Sequence, residues 1–309
     1  MSTADRRGAP RHRIAPAKVN LALHVVGRRA DGYHLLDMLV AFADIGDRVT
    51  WQPGGGACRL DIEDRLERPE PVPRNTSNLA WRALALAGRL SANRLGANRL
   101  GANRLGAASL AGTLTVRKEL PSGAGIGGGS SDAAAVLRLL LEDAGIAEET
   151  LRIEALALGA DLPVCLAGRP ARVEGIGERI TPVTLGAALP VVLVWPGAGL
   201  STPAVFKARR PEFEDAVSDV AIGGLGRDPV TAIAGLRNDL EETACRILPV
   251  VGRALSALQA SAGCRLARMS GSGSTVVGYF ADPEAATEAA ARLAADMPGW
   301  WIRAGTLQV

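Results

Sequence analysis

Aromatic side chains are scarce in this chain. They make up 4% of 309 residues, with only two tyrosines and four phenylalanines. Any core must therefore be built from aliphatic residues, for which a 48% hydrophobic content is ample, and an aromatic residue in a polar stretch draws attention. Cysteine is scarce too. Cys58, Cys165, Cys245 and Cys264 are widely scattered and show no C-x-x-C spacing or nearby histidine, so neither a zinc site nor a disulfide framework is indicated. Buried thiols in a reducing compartment are the expectation.

No charge of one sign dominates. Thirty-five basic residues against 32 acidic give a net charge of +3, far from the basic footprint of a nucleic-acid binder. Apolar runs long enough to span a bilayer, about eighteen residues, are missing. The opening MSTADRRGAPRHR lacks the apolar centre of a secretory signal, and residues 1–13 are expected to be a disordered arm of a cytoplasmic protein. Neither a membrane nor a nucleic acid is an expected partner.

The length suits two domains of ordinary size. IAPAKVNLALHVVG alternates apolar and polar residues, the period of a half-buried strand. DGYH reads as a turn, and the apolar pattern that follows ends in a strand around residues 48–51. A helix begins near Ser77, and GTLTVRKELP reads as a strand. AAAVLRLLLEDAG and EETLRIEALALGADLP read as helices, the second breaking at Gly159. Later come a buried strand over 190–195, a helix within 230–260, a strand at STVVGYF, a helix at PEAATEAAARLAADM and a closing strand. Strands and helices without regular alternation predict α+β domains. Residues 91–107 hold three tandem copies of a five-residue unit. Leu95, Leu100 and Leu105 would rotate around a helix rather than form a stripe, so this segment is expected to be a flexible surface insertion.

The stretch PSGAGIGGGSSDAA (121–134) raises the question of chemistry. Gly123, Gly125 and Gly128 match the G-x-G-x-x-G dinucleotide spacing, but the loop lies past residue 120 rather than in a first strand-turn-helix unit. Ser130, Ser131 and Asp132 supply cap-type side chains to the following helix, and the glycines let backbone amides approach an anion closely. Phosphate binding is favoured over hydride chemistry. A nicotinamide-dependent oxidoreductase and a noncatalytic nucleotide-binding module remain as alternatives from other classes.

This loop resembles the phosphate loop of the GHMP kinases, the superfamily named for galactokinase, homoserine, mevalonate and phosphomevalonate kinases. APAKVNLALHVVGRRADGYHLL, LGADLPVCLAG and RMSGSGSTVVGYF fit as well, and the likeness spans nearly the whole chain from Ile14. Their wording is most similar to the branch whose acceptor carries cytidine diphosphate on methylerythritol; a homoserine- or mevalonate-type kinase is the alternative.

The resemblance implies a two-domain GHMP kinase fold, with a ribosomal-protein-S5-domain-2-like N-terminal part and a ferredoxin-like C-terminal part. Residues 14–170 would bind ATP, residues 171–309 would bind substrate, and the active site would lie between them. It implies phosphorylation of an alcohol by ATP, with Mg²⁺ accompanying the nucleotide and no separate metal cage. Lys18 would supply the cation near the moving phosphoryl group, and Asp161 the carboxylate near the attacking hydroxyl. An ordinary carboxylate titrating near 4 is a weak base toward an alcohol, so orientation of the hydroxyl with late proton transfer is equally compatible. Pro121, Ser122, Gly123, Ala124, Gly125, Ile126, Gly127, Gly128, Gly129, Ser130 and Ser131 would hold the nucleotide. Tyr33, His34 and Phe206, the last beyond the Thr202-Pro203 pair, would meet the cytosine, while Asn20 would help position the hydroxyl or phosphate. Aromatic faces hold any base and a polar edge group selects one. SGSGS (270–274) is by itself only a turn, which the resemblance turns toward the active site. A monomer or weak homodimer is expected.

Overall fold

A computed structural model describes residues 9–66, 72–94, 110–142, 144–213 and 215–309. The chain forms two compact units, each discontinuous in sequence. The first holds residues up to Pro16, Gly46–Ser122 and Gly128–Leu166; the second holds Ala17–Ile45, Gly123–Gly127 and Ala167–Val309. A single boundary near residue 170 therefore does not describe compactness. Two long strands, β1 (Arg11–Arg28) and β2 (His34–Pro53), each contribute residues to both units. β1 also begins inside the span expected to be a disordered arm; residues 1–8 lie outside the described residues.

In the first unit, β4 (Gly112–Lys118) pairs antiparallel with residues 48–53 of β2 and parallel with β3 (Arg59–Asp64). Helices α1 (Leu79–Arg94), α2 (Gly128–Leu141) and α3 (Glu148–Leu158) share one core with these strands, built from Val49, Leu114, Val116, Leu84, Val136, Leu137 and Ala155. The core is almost wholly aliphatic, as the composition requires. Most of the pentapeptide insertion, from residue 95 to 107, lies outside the described residues.

The second unit contains the antiparallel order β2, β10 (Trp301–Leu307), β7 (Leu189–Trp195), β9 (Val276–Phe280), β8 (Cys264–Met269). Helices α9 (Val250–Gln259) and α10 (Pro283–Asp296) pack on these strands. β5 (Ala171–Gly175) pairs antiparallel with residues 36–40 of β2 and with β6 (Arg179–Pro182). Both units mix sheet and helix in the α+β manner expected. The short α4 (Leu162–Ala167) ends the first unit's last segment, and the C-terminal half adds α5 (Thr202–Ala208), α6 (Asp219–Gly224), α7 (Pro229–Ala234) and α8 (Glu241–Ile247). The single helix expected within 230–260 is thus three short ones. No described helix is long and apolar enough to cross a membrane.

Two local expectations need correction. Burial along β1 is continuous from Ala17 to Val25, so its polar positions are not a solvent face: Lys18 is 4% exposed and Asn20 1%. α2 starts at Gly128, which puts Ser130, Ser131 and Asp132 inside its first turns rather than at the cap. Ser131 and Asp132 are buried there. The Ser131 hydroxyl donates to Cys165 Sγ at 3.4 Å.

Candidate active site

Within the second unit, β1 and the glycine loop meet directly. The backbone N–H of Lys18 donates to the carbonyl of Ile126 at 2.9 Å. The Lys18 stem runs against Gly127, where an added Cβ would stand 3.1 Å from Lys18 Cβ and 3.5 Å from its Cε. The loop glycines Gly123, Gly125 and Gly127 have φ of 63°, 78° and 65°, while among the described residues no non-glycine residue has positive φ. Left-handed residues alternating with ordinary ones turn successive N–H groups to one side, the arrangement of an anion-binding nest. The Cβ position of Gly123 is open, leaving room for a ligand.

A second small-residue loop locks the first. The fully buried Ser270 hydroxyl accepts from the Asn20 N–H and donates to the Gly125 carbonyl, both at 3.1 Å. Thr275 N–H donates to the Ala124 carbonyl at 3.0 Å. Asn238 in turn steadies the serine loop, its amide donating to the Met269 and Gly271 carbonyls at 2.8 Å. Backbone approaches backbone so closely that a Cβ on Gly125 would stand 2.6 Å from the Ser270 carbonyl oxygen. SGSGS is therefore more than a turn. Its run of small residues was visible in the sequence, but which backbone it would approach was not.

Asn20 lies two residues from Lys18 and hence on the same face of β1. Its amide nitrogen donates to Met38 Sδ at 3.3 Å, and its buried Oδ1 has no hydrogen-bond partner. A buried amide oxygen left without a donor suits a ligand hydroxyl or N–H.

Two of the three residues expected to meet the base lie together in the same unit. His34, at the start of β2, stacks on Phe206 of α5 with centroids 4.9 Å apart and planes 27° from parallel. Burial, then the positive charges of Arg209 and Arg28, hold the His34 imidazole below its ordinary pKa, keeping it neutral. Tyr33 is 65% exposed, and its ring makes no stacked pair among the described residues. The Thr202 hydroxyl is hydrogen-bonded to that of Ser272 at 2.7 Å, joining α5 to the serine loop.

The first unit holds Asp161, Pro121, Ser122 and the run from Gly128 to Ser131. Asp161 follows the Gly159 break and immediately precedes α4, where its carbonyl accepts from the Cys165 N–H at 3.1 Å. A cluster that the sequence reading did not single out as a site lies beside α2. Lys118, at the end of β4, is ion-paired to both Asp47 of β2 and Asp132 of α2, the latter at 2.8 Å. Asp47 Oδ1 also accepts from the N–H groups of Glu119 at 2.6 Å and Leu120 at 2.8 Å. Burial works against the Lys118 charge, but the two carboxylates outweigh it and hold the ammonium protonated. Burial, with the Asp47 charge adding to it, pushes Asp132 up to about 7 against the pull of Lys118. Among the described residues no group of three His, Cys, Asp or Glu side chains could hold a metal ion.

Two family descriptions match the chain: the GHMP kinases N terminal domain over residues 78–169 and the GHMP kinases C terminal region over residues 226–299. A protein of Paracoccus denitrificans named 4-diphosphocytidyl-2-C-methyl-D-erythritol kinase is 45% identical, with 96% of this chain and 98% of that protein covered. One of the same name from Methylorubrum extorquens is 46% identical over 93% and 96%. The crystal structure of a 4-(cytidine 5'-diphospho)-2C-methyl-D-erythritol kinase superposes with a TM-score of 0.76 at 35% identity, covering 97% of this chain and all of that one. A homoserine kinase from Cytophaga hutchinsonii, 16% identical with a TM-score of 0.69, shares the fold. The α+β architecture is thus the GHMP kinase fold, and the chain belongs to the 4-diphosphocytidyl-2-C-methyl-D-erythritol kinase family.

Proposed function

We propose that the protein transfers the γ-phosphoryl group of ATP to the C2 hydroxyl of 4-(cytidine 5'-diphospho)-2-C-methyl-D-erythritol, a step of the non-mevalonate route to isoprenoid precursors. The products are the 2-phosphate and ADP. The observation that carries this reading is the likeness to proteins named for that activity, 45% identical over nearly the full length, in a chain whose Lys18 strand packs on its glycine loop.

In this reaction an O–P bond forms from the C2 oxygen while the bond from the γ-phosphorus to its bridging oxygen breaks, and the hydroxyl proton departs. Such a transfer asks mainly for positioning and charge stabilisation. In the loop from Pro121 to Ser131 the backbone N–H groups after the proline hold the phosphates, with the left-handed glycines giving close approach. Lys18 brings a cation on a strand that the loop itself holds. Asp161 orients the hydroxyl and receives its proton as the phosphoryl group arrives. His34 and Phe206 stack on the cytosine, Tyr33 closes over it, and Thr202 and Asn20 bind the polar remainder of the acceptor. Mg²⁺, when bound with the nucleotide, neutralises charge on the phosphate oxygens. Residues 14–170 thus supply most of the nucleotide contacts, while the acceptor is shared between Asn20, Tyr33 and His34 of that span and Thr202 and Phe206 of residues 171–309. We place the enzyme in the cytoplasm, as a monomer or weak homodimer.

A panel of acceptors with ATP tests the reading. ADP release with the cytidylyl acceptor and none with homoserine or mevalonate is the expected result, and the reverse pattern would overturn it. Lys18→Met and Asp161→Asn should each lower kcat by about a hundredfold or more while ATP still binds. Near-normal turnover in either variant removes that residue from the mechanism.

A further inference from the structure

The loop just assigned to the nucleotide leaves β4 after Lys118 and re-enters regular structure at Gly128, so its two ends lie on two different elements of the first unit. What fixes those ends relative to each other decides where the amides between them point. The covalent chain alone does not, because several of its residues are glycines with wide conformational freedom.

We propose that Lys118 is a positioning residue for the nucleotide loop, its ammonium tying the strand before the loop to the helix after it. This inference rests on the reading of residues 121–131 as the phosphate loop. Three observations carry it. The ammonium is buried and shared by carboxylates from two elements, Asp47 of β2 and Asp132 of α2. Asp47 simultaneously accepts from the N–H groups of Glu119 and Leu120, the two residues directly before Pro121, so the departing chain is gripped at its last positions. At the other end, a Cβ added to Gly128 would stand 3.6 Å from Lys118 Nζ and 3.7 Å from Asp47 Oδ2. The charge cluster therefore lies directly beside the residue at which the loop becomes helix.

A buried ion pair is weak evidence for stability, since burying charge costs much of what the pairing returns. Directional tethering is the better account of three charged side chains here. Asp132 Oδ1 has no hydrogen-bond partner, so the cluster is not tuned for full satisfaction, and Lys118 is the group on which both tethers converge.

The test compares ATP binding without acceptor, by calorimetry, with steady-state KM for ATP and for the acceptor. The principal variant is the double substitution Lys118→Met with Asp132→Asn, which cuts the link to α2 while leaving Asp47 its two backbone donors. The expected result is an ATP Kd and KM raised about tenfold or more, with the acceptor KM within about twofold of the parent, in a protein with parental circular dichroism. Asp132→Asn alone keeps an oxygen for the ammonium and should fall between parent and double variant. Asp132→Ala, which removes only the helix tether, carries the same test if the double variant does not fold, and should raise the ATP constants in the same selective way. Unchanged ATP constants, or ATP and acceptor constants rising together in step with a lowered Tm, would overturn the proposal. A parent that binds ATP yet phosphorylates no cytidylyl acceptor would overturn the functional reading instead, and leave the ATP comparison valid.

Discussion

Two regions fasten small-residue chain by opposite means. In the second unit the glycine loop is held by neutral contacts: one serine hydroxyl, the backbone N–H groups of Lys18 and Thr275, and a backbone-to-backbone approach that admits no Cβ. In the first unit the grip on the chain just before Pro121 depends on formal charge, an ammonium between two buried carboxylates. Neutral packing places atoms by exclusion and tolerates no added volume. A charge cluster places them by attraction and tolerates no missing partner, because the surviving ions are left uncompensated in a medium that solvates them poorly.

The sharpest way to break the charged side is Lys118→Met alone, which strands Asp47 and Asp132. A loss of roughly 3–5 kcal/mol in urea denaturation is expected. A loss under about 1 kcal/mol would mean that the carboxylates relax to water or protonate at little cost. On the neutral side, Gly125→Ala forces a Cβ onto the Ser270 and Gly273 carbonyls at a residue of positive φ. Displacing the loop by even a fraction of an ångström should cut kcat/KM by about a hundredfold, and parental turnover would show that the two loops can part. Ser270→Ala adds no volume but strips partners from the Asn20 N–H and the Gly125 carbonyl. Destabilisation of about 1–3 kcal/mol is expected, measured by thermal melting, and a neutral result would imply that water replaces the hydroxyl.

The smallest effect concerns His34. Its pKa in the folded protein lies below the unfolded value of 6.5, so as pH falls the unfolded chain takes the proton first. Its contribution is therefore present above pH 6.5 and declines below it. The acceptor KM should stay flat from neutrality down through 6.5 and rise only at lower pH. An NMR titration of the His34 ring with a midpoint above 6.5 would contradict this.

The same contrast separates what the sequence disclosed from what it did not. α10 and β4 were readable because their apolar spacing and flanking residues agree with their burial. β2 was read only at its end, since its middle is buried on both faces and shows no period of two. β1 misled in the other direction: its alternation is real, but Lys18, Asn20 and His24 are buried polar groups rather than a wet face. The three short helices between 229 and 259 merged into one because local apolar content does not mark a turn made by tertiary contacts. The roles proposed for the glycine loop, Lys18 and Asp161 come from family wording. The Ser270 junction and the Lys118 cluster were not legible, because each joins residues far apart in the chain, 250 positions in the case of Asn20 and Ser270 and 71 in the case of Asp47 and Lys118. A single sequence carries no direct mark of such pairings.

The partnership of β10 with β2 bears on how the protein reaches its folded state during synthesis. Leu307 sits opposite Ala43, and the Gln308 N–H donates to the Phe42 carbonyl. The segment that carries Phe42 and Ala43 is made long before its neighbour, which lies far along the chain. Until that neighbour is made, the buried segment around Ala43 lacks this partner, a non-local pairing that slows folding and leaves apolar strand open to aggregation.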